Sequence, residues 1–214
     1  MKITLTLIAT LLVLVVYGEP DVNMTVAPLD LEEAKKELTE IINLIPRDNI
    51  TAIVNYHLAN DDGFKAAILH MQTPEFRALV DSIRANPKWK AFKDAVRAFG
   101  FDVDQLIECT RTFIEDSKVG DVDPSAKKSL ASFIRDIEEV IPVGQMLMTF
   151  AKKKNLQSFI QHMSTNGTKE KVMDVLKVPE VKKYIEELSD MGLDVQDMLS
   201  LLFAGLGWGN LKMP

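Results

Sequence analysis

The sequence predicts an all-α protein of about twelve short helices, arranged as two tandem six-helix repeats. The second half of the chain repeats the first: Pro46 lies 96 positions before Pro142, and Gly100-Phe101-Asp102-Val103 lies 92 positions before Gly192-Leu193-Asp194-Val195. Prolines, glycines and capping residues recur at intervals typical of short helices. No segment alternates apolar and polar residues over the length that a convincing strand requires.

Local capping signals define the six helices of the first repeat. Asp30 followed by Glu33 is a capping-box pattern that begins the first helix. Gly100 is expected in the left-handed conformation that closes the fifth. In chain order, the predicted helices run from Asp30 to Pro46, from Asp48 to about Asn60, from Asp61-Asp62 to near Met71, from Thr73-Pro74, from Asn86-Pro87 to Gly100, and from Asp102 to near Asp116.

The second repeat carries the same kinds of signal. In chain order they are a start at Pro124-Ser125, an end at Pro142, Asn155 near the start of the third helix, Thr168 as the cap of the fourth, Pro179 at the start of the fifth, and the pair Gly192 and Asp194. Two similar units of this size are expected to join their apolar faces with approximate two-fold symmetry.

The N-terminus has the pattern of a secretory signal peptide. Met1-Lys2 precedes an apolar run from Ile3 to Tyr17, which is shorter than the ~20 residues of a membrane-spanning helix. We expect cleavage after about Gly18. The predicted organisation is a signal peptide at 1–18, a mature leader at 19–29, repeat 1 at 30–118, a linker at 119–124, repeat 2 at 125–208 and a tail at 209–214, with the two repeats forming one domain.

Composition narrows the classes of partner. The formal net charge is −6 and no basic cluster occurs, so nucleic-acid binding is not expected. The single cysteine, Cys109, cannot form an internal disulfide and is expected to be a buried thiol. Three glycosylation sequons, at Asn23, Asn49 and Asn166, fit a secretory route.

The sequence contains no catalytic motif, so neither an enzyme nor a cofactor is predicted. The histidines are His57, His70 and His162, and the last two occupy matching positions in the repeats. Neither has Asp, Glu or Cys at metal-ligand spacing, so a metal site is not predicted. The segment from Gly205 to Gly209 resembles a nucleotide loop superficially, but a frayed C-terminal tail is the better interpretation because no strand precedes it.

Apolar residues recur at helical spacing, as in the stripe formed by Trp89, Phe92, Val96 and Phe99. The second half is also rich in methionine, which packs against varied apolar partners but equally suits an ordinary core. A solid interior and a hollow one require the same stripes, so the periodicity leaves both open.

Taken together, these elements resemble the insect allergen-related repeat family, which includes cockroach group 1 allergens, midgut microvillar proteins and nitrile-specifier proteins. The resemblance rests on a tandem repeat of about 90 residues with paired Ile-Pro elements at Ile45-Pro46 and Ile141-Pro142. It also rests on matching elements at Pro87 and Pro179 and at Gly100 and Gly192, and it extends from about Leu29 to Trp208.

The resemblance implies one pseudo-two-fold domain around a large apolar cavity that binds fatty acids or phospholipids. It further implies secretion into the gut lumen or location at the midgut microvillar surface, and it leaves the oligomeric state open. Two alternatives are a membrane-active protein that contacts bilayers and a nitrile-specifier-like detoxification protein. The candidate cavity-lining residues are Ile53, Phe64, Ile68, Met71, Leu79, Ile83, Phe92, Val96, Phe99, Leu106, Phe113, Met148, Phe159, Met163, Val172, Leu176, Tyr184, Leu188, Met198 and Leu202.

Overall fold

A computed structural model describes residues 30–98, 103–165 and 167–209, and it confirms the all-α prediction. The described residues form twelve helices and no strand. The predicted signal peptide and leader, Asn23, Phe99, Gly100, Asp102 and Asn166 lie outside them. The helices are α1 (Leu31–Ile42), α2 (Arg47–Asn60), α3 (Asp62–Met71), α4 (Pro74–Ala85), α5 (Pro87–Ala98), α6 (Val103–Asp116), α7 (Ala131–Val140), α8 (Val143–Phe150), α9 (Lys154–Thr165), α10 (Thr168–Leu176), α11 (Pro179–Asp190) and α12 (Val195–Gly205).

Several helices begin where the local sequence signals predict. The Asp30 carboxylate accepts from the Glu33 amide at 3.0 Å and caps α1. Thr73 caps α4 with Pro74 in its first turn, and Asp194 caps α12 by accepting from the Asp197 amide. These caps act within four residues, which is why sequence alone locates them.

The start of the second repeat differs from the prediction. The first helix of this repeat, α7, begins at Ala131 rather than at Pro124-Ser125. The amide of Ser129 donates to the Gly63 carbonyl oxygen, and that of Leu130 donates to the Met191 carbonyl oxygen. Because these amides are bonded to distant parts of the chain, the segment before Ala131 does not continue the helix backwards.

Thr168 is not the helix cap that the sequence predicts. It is the first residue of α10, and Gly167 occupies the cap position with φ +67°. The Thr168 hydroxyl is buried and has no hydrogen-bond partner. A threonine that fails to cap its own helix therefore points its polar group into the protein.

The segment after α12 packs against the fold, so its interpretation as a frayed tail was wrong. Leu206 and Trp208 are buried. The Trp208 indole nitrogen donates to the Ser164 carbonyl oxygen at 3.0 Å, and Lys169 donates to the Trp208 carbonyl oxygen at 2.6 Å. The indole supplies apolar area and a hydrogen-bond donor, which together fix the end of the repeat.

Helix pairs that join the two repeats are prominent in the packing. Helix α1 packs on α8 and α9, α2 packs on α7, α4 packs on α11, and α5 packs on α10. Because α4 also contacts α5 and α10 also contacts α11, these four helices form a closed circuit with two members from each repeat.

Buried residues at matching positions of α3 and α9 contribute to the core. Phe64 and Ile68 in α3 correspond to Leu156 and Ile160 in α9, and all four are buried. Phe64 also contacts Phe133 of α7, with ring centroids 4.7 Å apart. The repeated apolar stripes are thus used to hold the halves together.

The start of α9 is capped by a side chain from the other repeat. Glu37 of α1 is buried and accepts from the Leu156 amide at 2.7 Å and from the Asn155 side chain at 3.1 Å. The corresponding helix α3 is capped by its own Asp61, whereas the matching position before α9 is Lys153, which has no acceptor oxygen on its side chain. Glu37 thus supplies the acceptor that Lys153 lacks.

Within the described ranges, no helix combines the length and apolar character needed to span a membrane.

Candidate functional site

A cluster of polar groups that joins the two repeats surrounds His57. This buried imidazole lies 2.8 Å from an Asp61 oxygen through Nδ1 and 2.9 Å from an Asp136 oxygen through Nε2. Ser132 donates to the same Asp61 oxygen. With both ring nitrogens facing carboxylates, both contacts are hydrogen bonds when the ring is an imidazolium, because a neutral ring donates from one nitrogen only.

This cluster has a structural role that its geometry explains. Asp61 also caps α3 by accepting from the Phe64 amide at 2.9 Å. Burial acts to raise the pKa of Asp61, but the hydrogen bonds from Ser132, Phe64 and His57 outweigh it and lower the pKa. The cluster therefore ties α2 and α3 to α7 through a carboxylate that is stabilised in its charged form.

The remaining histidines have different hydrogen-bond partners. His70 lies 2.8 Å from Glu187 of α11, and His162 contacts the Ser158 carbonyl oxygen within its own helix. In the described part of the chain, no group of three or more His, Cys, Asp and Glu residues is placed to hold a metal ion.

The four-helix circuit brings many of the candidate cavity-lining residues together. Leu79, Ile83 and Leu176 there are buried, as is Val96. The other members of the candidate set on these helices retain part of their accessible surface; they are Phe92, Val172, Tyr184 and Leu188. Tyr184 is half-buried, and the burial of its phenol raises its pKa.

The full candidate set divides by burial. Seven side chains are buried, namely Phe64, Ile68, Leu79, Ile83, Val96, Phe159 and Leu176. Ten are half-buried, namely Ile53, Met71, Phe92, Phe113, Met163, Val172, Tyr184, Leu188, Met198 and Leu202. Phe99 and the side chain of Leu106 lie outside the described part of the structure.

Met148 is an exception within the candidate set. Its side chain is 65% exposed, so it lies on the outer surface of α8 rather than facing the interior. The two neighbouring residues in the helix pattern, Met146 and Phe150, are the buried ones. The eight residues of α8 present a narrow inward stripe, and Met148 falls outside it.

An open groove lies between α2 and α6. Its volume is about 740 Å³, within the range of small-molecule pockets. Val54, Leu58 and Phe113 form apolar parts of its lining, and polar side chains such as Thr112 and Asn55 also line it. Cys109 is half-buried in this groove rather than fully buried as the sequence predicts.

Two polar atoms in the described structure are buried without a hydrogen-bond partner, and sequence reasoning missed both. They are the Trp89 indole nitrogen in α5 and the Thr168 hydroxyl in α10. A signal for the second was present: Thr168 is the counterpart of Phe76 at the 92-residue offset, so a polar residue replaces a large apolar one. Unpartnered buried groups are uncommon in folded proteins and often mark a bound water or ligand.

Comparison with known proteins supplies the family. A search of curated proteins found no match. The family profile described as insect allergen related repeat, nitrile-specifier detoxification matches residues 33–202, from the first turn of α1 into α12 and therefore through both repeats. The chain belongs to the insect allergen related repeat family.

Proposed function

We propose that this protein is a secreted, non-enzymatic carrier that holds fatty acids or other acyl lipids against the apolar faces shared by its two repeats. The observation that carries the proposal is the half-buried state of ten candidate residues. Nine of them pack against the buried core yet keep accessible surface. Covering such partly exposed apolar side chains with a ligand is favourable, because it removes apolar surface from water.

The helix pairing supports a two-half arrangement around the ligand. Each helix has a counterpart in the other repeat, six helices before or after it in the chain. Replacing α5 and α10 by their counterparts gives α11 and α4. The same exchange converts α2 and α7 into α8 and α1. These four pairs support approximate two-fold symmetry between the repeats. The extensive pair α1 and α9 departs from it, because its image, α7 and α3, is not packed to the same extent.

The physical basis of binding would be burial of apolar area. Removing apolar surface from water contributes ~25 cal/mol per Å², so acyl chains covering the half-buried residues would stabilise the folded chain. A ligand that binds only the folded state raises the free energy of unfolding by mass action. Lipid would then form part of the core of the secreted protein.

The setting that we propose is the insect gut lumen or the midgut microvillar surface. The signal-peptide pattern at 1–18 and the family membership support it. The sequon at Asn49 lies on the exposed side of α2, where a glycan would not disturb the core.

Extraction of the secreted protein tests the proposal. Protein purified from an insect secretory expression system should release acyl lipid into organic solvent, identified by mass spectrometry, and native spectra should show a matching mass difference. Protein that is folded, ligand-free and unable to take up lipid from mixed micelles would overturn the proposal.

The family description names nitrile-specifier detoxification and so favours a second candidate, a nitrile-specifier-like detoxification protein. The measurement is the product profile of myrosinase acting on a glucosinolate with and without the protein. A higher nitrile fraction would support this candidate, and an unchanged profile would remove it.

A further inference from the structure

Thr168 and Trp89 each bury a hydrogen-bonding group that the described structure leaves unpaired. Thr168 is 1% exposed, and neither its hydroxyl nor the Trp89 indole nitrogen has a partner. Leaving a buried donor unsatisfied costs roughly 1–3 kcal/mol. A bound water or a polar group of a ligand would remove this cost by supplying the missing partner.

The two groups come from helices that face each other across the repeats. Trp89 lies in α5 and Thr168 begins α10, and these helices pack together within the four-helix circuit. The Trp89 ring lies against Phe92, with centroids 5.5 Å apart. The two unpaired groups are thus carried by two helices, one from each repeat, that pack against each other.

The counterpart position in the first repeat shows what is unusual here. Phe76 occupies the place of Thr168, and its ring lies 5.6 Å from that of Tyr184. Threonine replaces this aromatic ring with a much smaller side chain and adds a hydroxyl. At this position the second repeat therefore has a smaller side chain and a hydroxyl, where the first has an aromatic contact.

The donors are neutral, which limits the chemistry of the acceptor. Lys169, the next residue in α10, already donates to the Trp208 carbonyl oxygen at 2.6 Å, and Glu170 is exposed. A bare carboxylate buried without a cation is costly. A carbonyl oxygen has two lone pairs and can accept from both the hydroxyl and the indole N–H.

We propose that the Thr168 hydroxyl and the Trp89 indole N–H bind the acyl carbonyl oxygen of a lipid ester or a protonated fatty acid. This inference rests on the lipid-binding function proposed above and assigns the polar end of the ligand to the interface of α5 and α10. Lipids with an acyl carbonyl are then selected over hydrocarbons of equal length.

Competitive loading tests this anchor. Delipidated protein is equilibrated with micelles containing equal amounts of methyl palmitate and octadecane, and the ratio of the two bound ligands is measured by native mass spectrometry. Thr168→Val keeps the shape of the side chain and removes the hydroxyl, so it should lower the ester-to-alkane ratio on the order of tenfold relative to the wild type. Trp89→Phe should lower it in the same direction and provides the test if the first variant does not fold.

Thr112→Val is the matched control, because it makes the same chemical change in the groove between α2 and α6 and should leave the ratio unchanged. A second readout is the melting temperature of ligand-free protein. Thr168→Val should leave it equal or higher, since an unpaired hydroxyl is replaced by a methyl group.

The outcomes separate the two proposals. Uptake of both ligands with the same ratio in wild type and both interface variants would overturn the anchor while lipid binding stands. A change with Thr112→Val alone would also overturn it, because the carbonyl would then lie in the groove. Failure of folded wild-type protein to take up either ligand would overturn lipid binding and the anchor together.

Discussion

At the scale of single residues, a hydrogen bond's sequence separation decides whether it could be foreseen. Asp30 bonds three residues ahead and was predicted. His57 reaches Asp136 across 79 positions, and Glu37 reaches Leu156 across 119. No local sequence pattern predicts such a bond, because it forms only when the two repeats pack together. The unpaired hydroxyl of Thr168 has no local signal either, and only comparison with Phe76 of the first repeat points to it.

Ser132 offers a test of the Asp61 cluster through pH. Because the folded-state pKa of Asp61 is lowered, its contribution to stability is present above the ordinary aspartate pKa of about 3.9 and is lost as the pH falls through the lower folded value. Ser132→Ala should cost about 1 kcal/mol at neutral pH. This difference from the wild type should shrink below about pH 3.9, as measured by chemical denaturation across pH. A difference that is constant down to acid unfolding would contradict the assignment.

Glu37 offers a test of capping between the repeats. Glu37→Gln weakens the acceptor at the start of α9 and should lower the free energy of unfolding by about 1–2 kcal/mol in urea denaturation. Glu40→Gln, one turn along the same helix, removes only the ion pair between the exposed Glu40 and the half-buried Lys153 and should cost less than about 1 kcal/mol. Equal effects from the two variants would count against the cap.

At the scale of helices, the helix starts that depend on an adjacent capping residue or proline were predictable from the sequence. The start of the first helix of the second repeat was not. Thr73-Pro74 and Asp194 begin helices because their side chains or rings act on adjacent backbone. Ala131 begins α7 because the preceding amides are bonded to Gly63 and Met191, which sequence patterns do not reveal. The packing of the segment from Gly205 to Gly209 was missed for the same reason, since it depends on the hydrogen bond from Trp208 to the distant Ser164 carbonyl oxygen.

Gly192 should tolerate substitution least among the glycines near helix ends. Its φ is +87°, and an added Cβ would lie 3.2 Å from that of Ala131, so Gly192→Ala should cost about 1–2 kcal/mol or more. Gly207 has φ +67° with open space around it, so Gly207→Ala should cost about 1 kcal/mol. Gly144→Ala within α8 should be neutral or stabilise by up to about 1 kcal/mol. Urea denaturation would rank them, and a different order would refute the conformational argument.

At the scale of the whole molecule, the duplication predicted the fold class but not what lies between the halves. The repeated stripes at Phe64 and Leu156 became core, whereas Phe92 and Tyr184 remain half-buried. Periodicity could not separate these outcomes, because both require apolar residues at the same helical spacing. The family resemblance supplied the hypothesis of bound lipid.

A single repeat should not fold alone. Residues 30–118 would expose the faces that α9, α10 and α11 cover in the whole chain, and Phe64 would lose its contact with Phe133. The isolated segment should show little cooperative unfolding by circular dichroism or should associate into dimers by size-exclusion chromatography. A stable monomer with a cooperative unfolding transition would contradict the claim that each repeat needs the other to fold.

The central claim is that lipid completes the interior of this protein, and melting before and after lipid removal tests it most directly. A ligand present at about 100 times its Kd adds about 2.7 kcal/mol, which corresponds to a shift of about 5–10 °C for a chain of this size. The Tm of the secreted protein should therefore fall by about 5–10 °C on delipidation and return when methyl palmitate is added. An unchanged Tm, with no ligand mass in native spectra before extraction, would contradict the account.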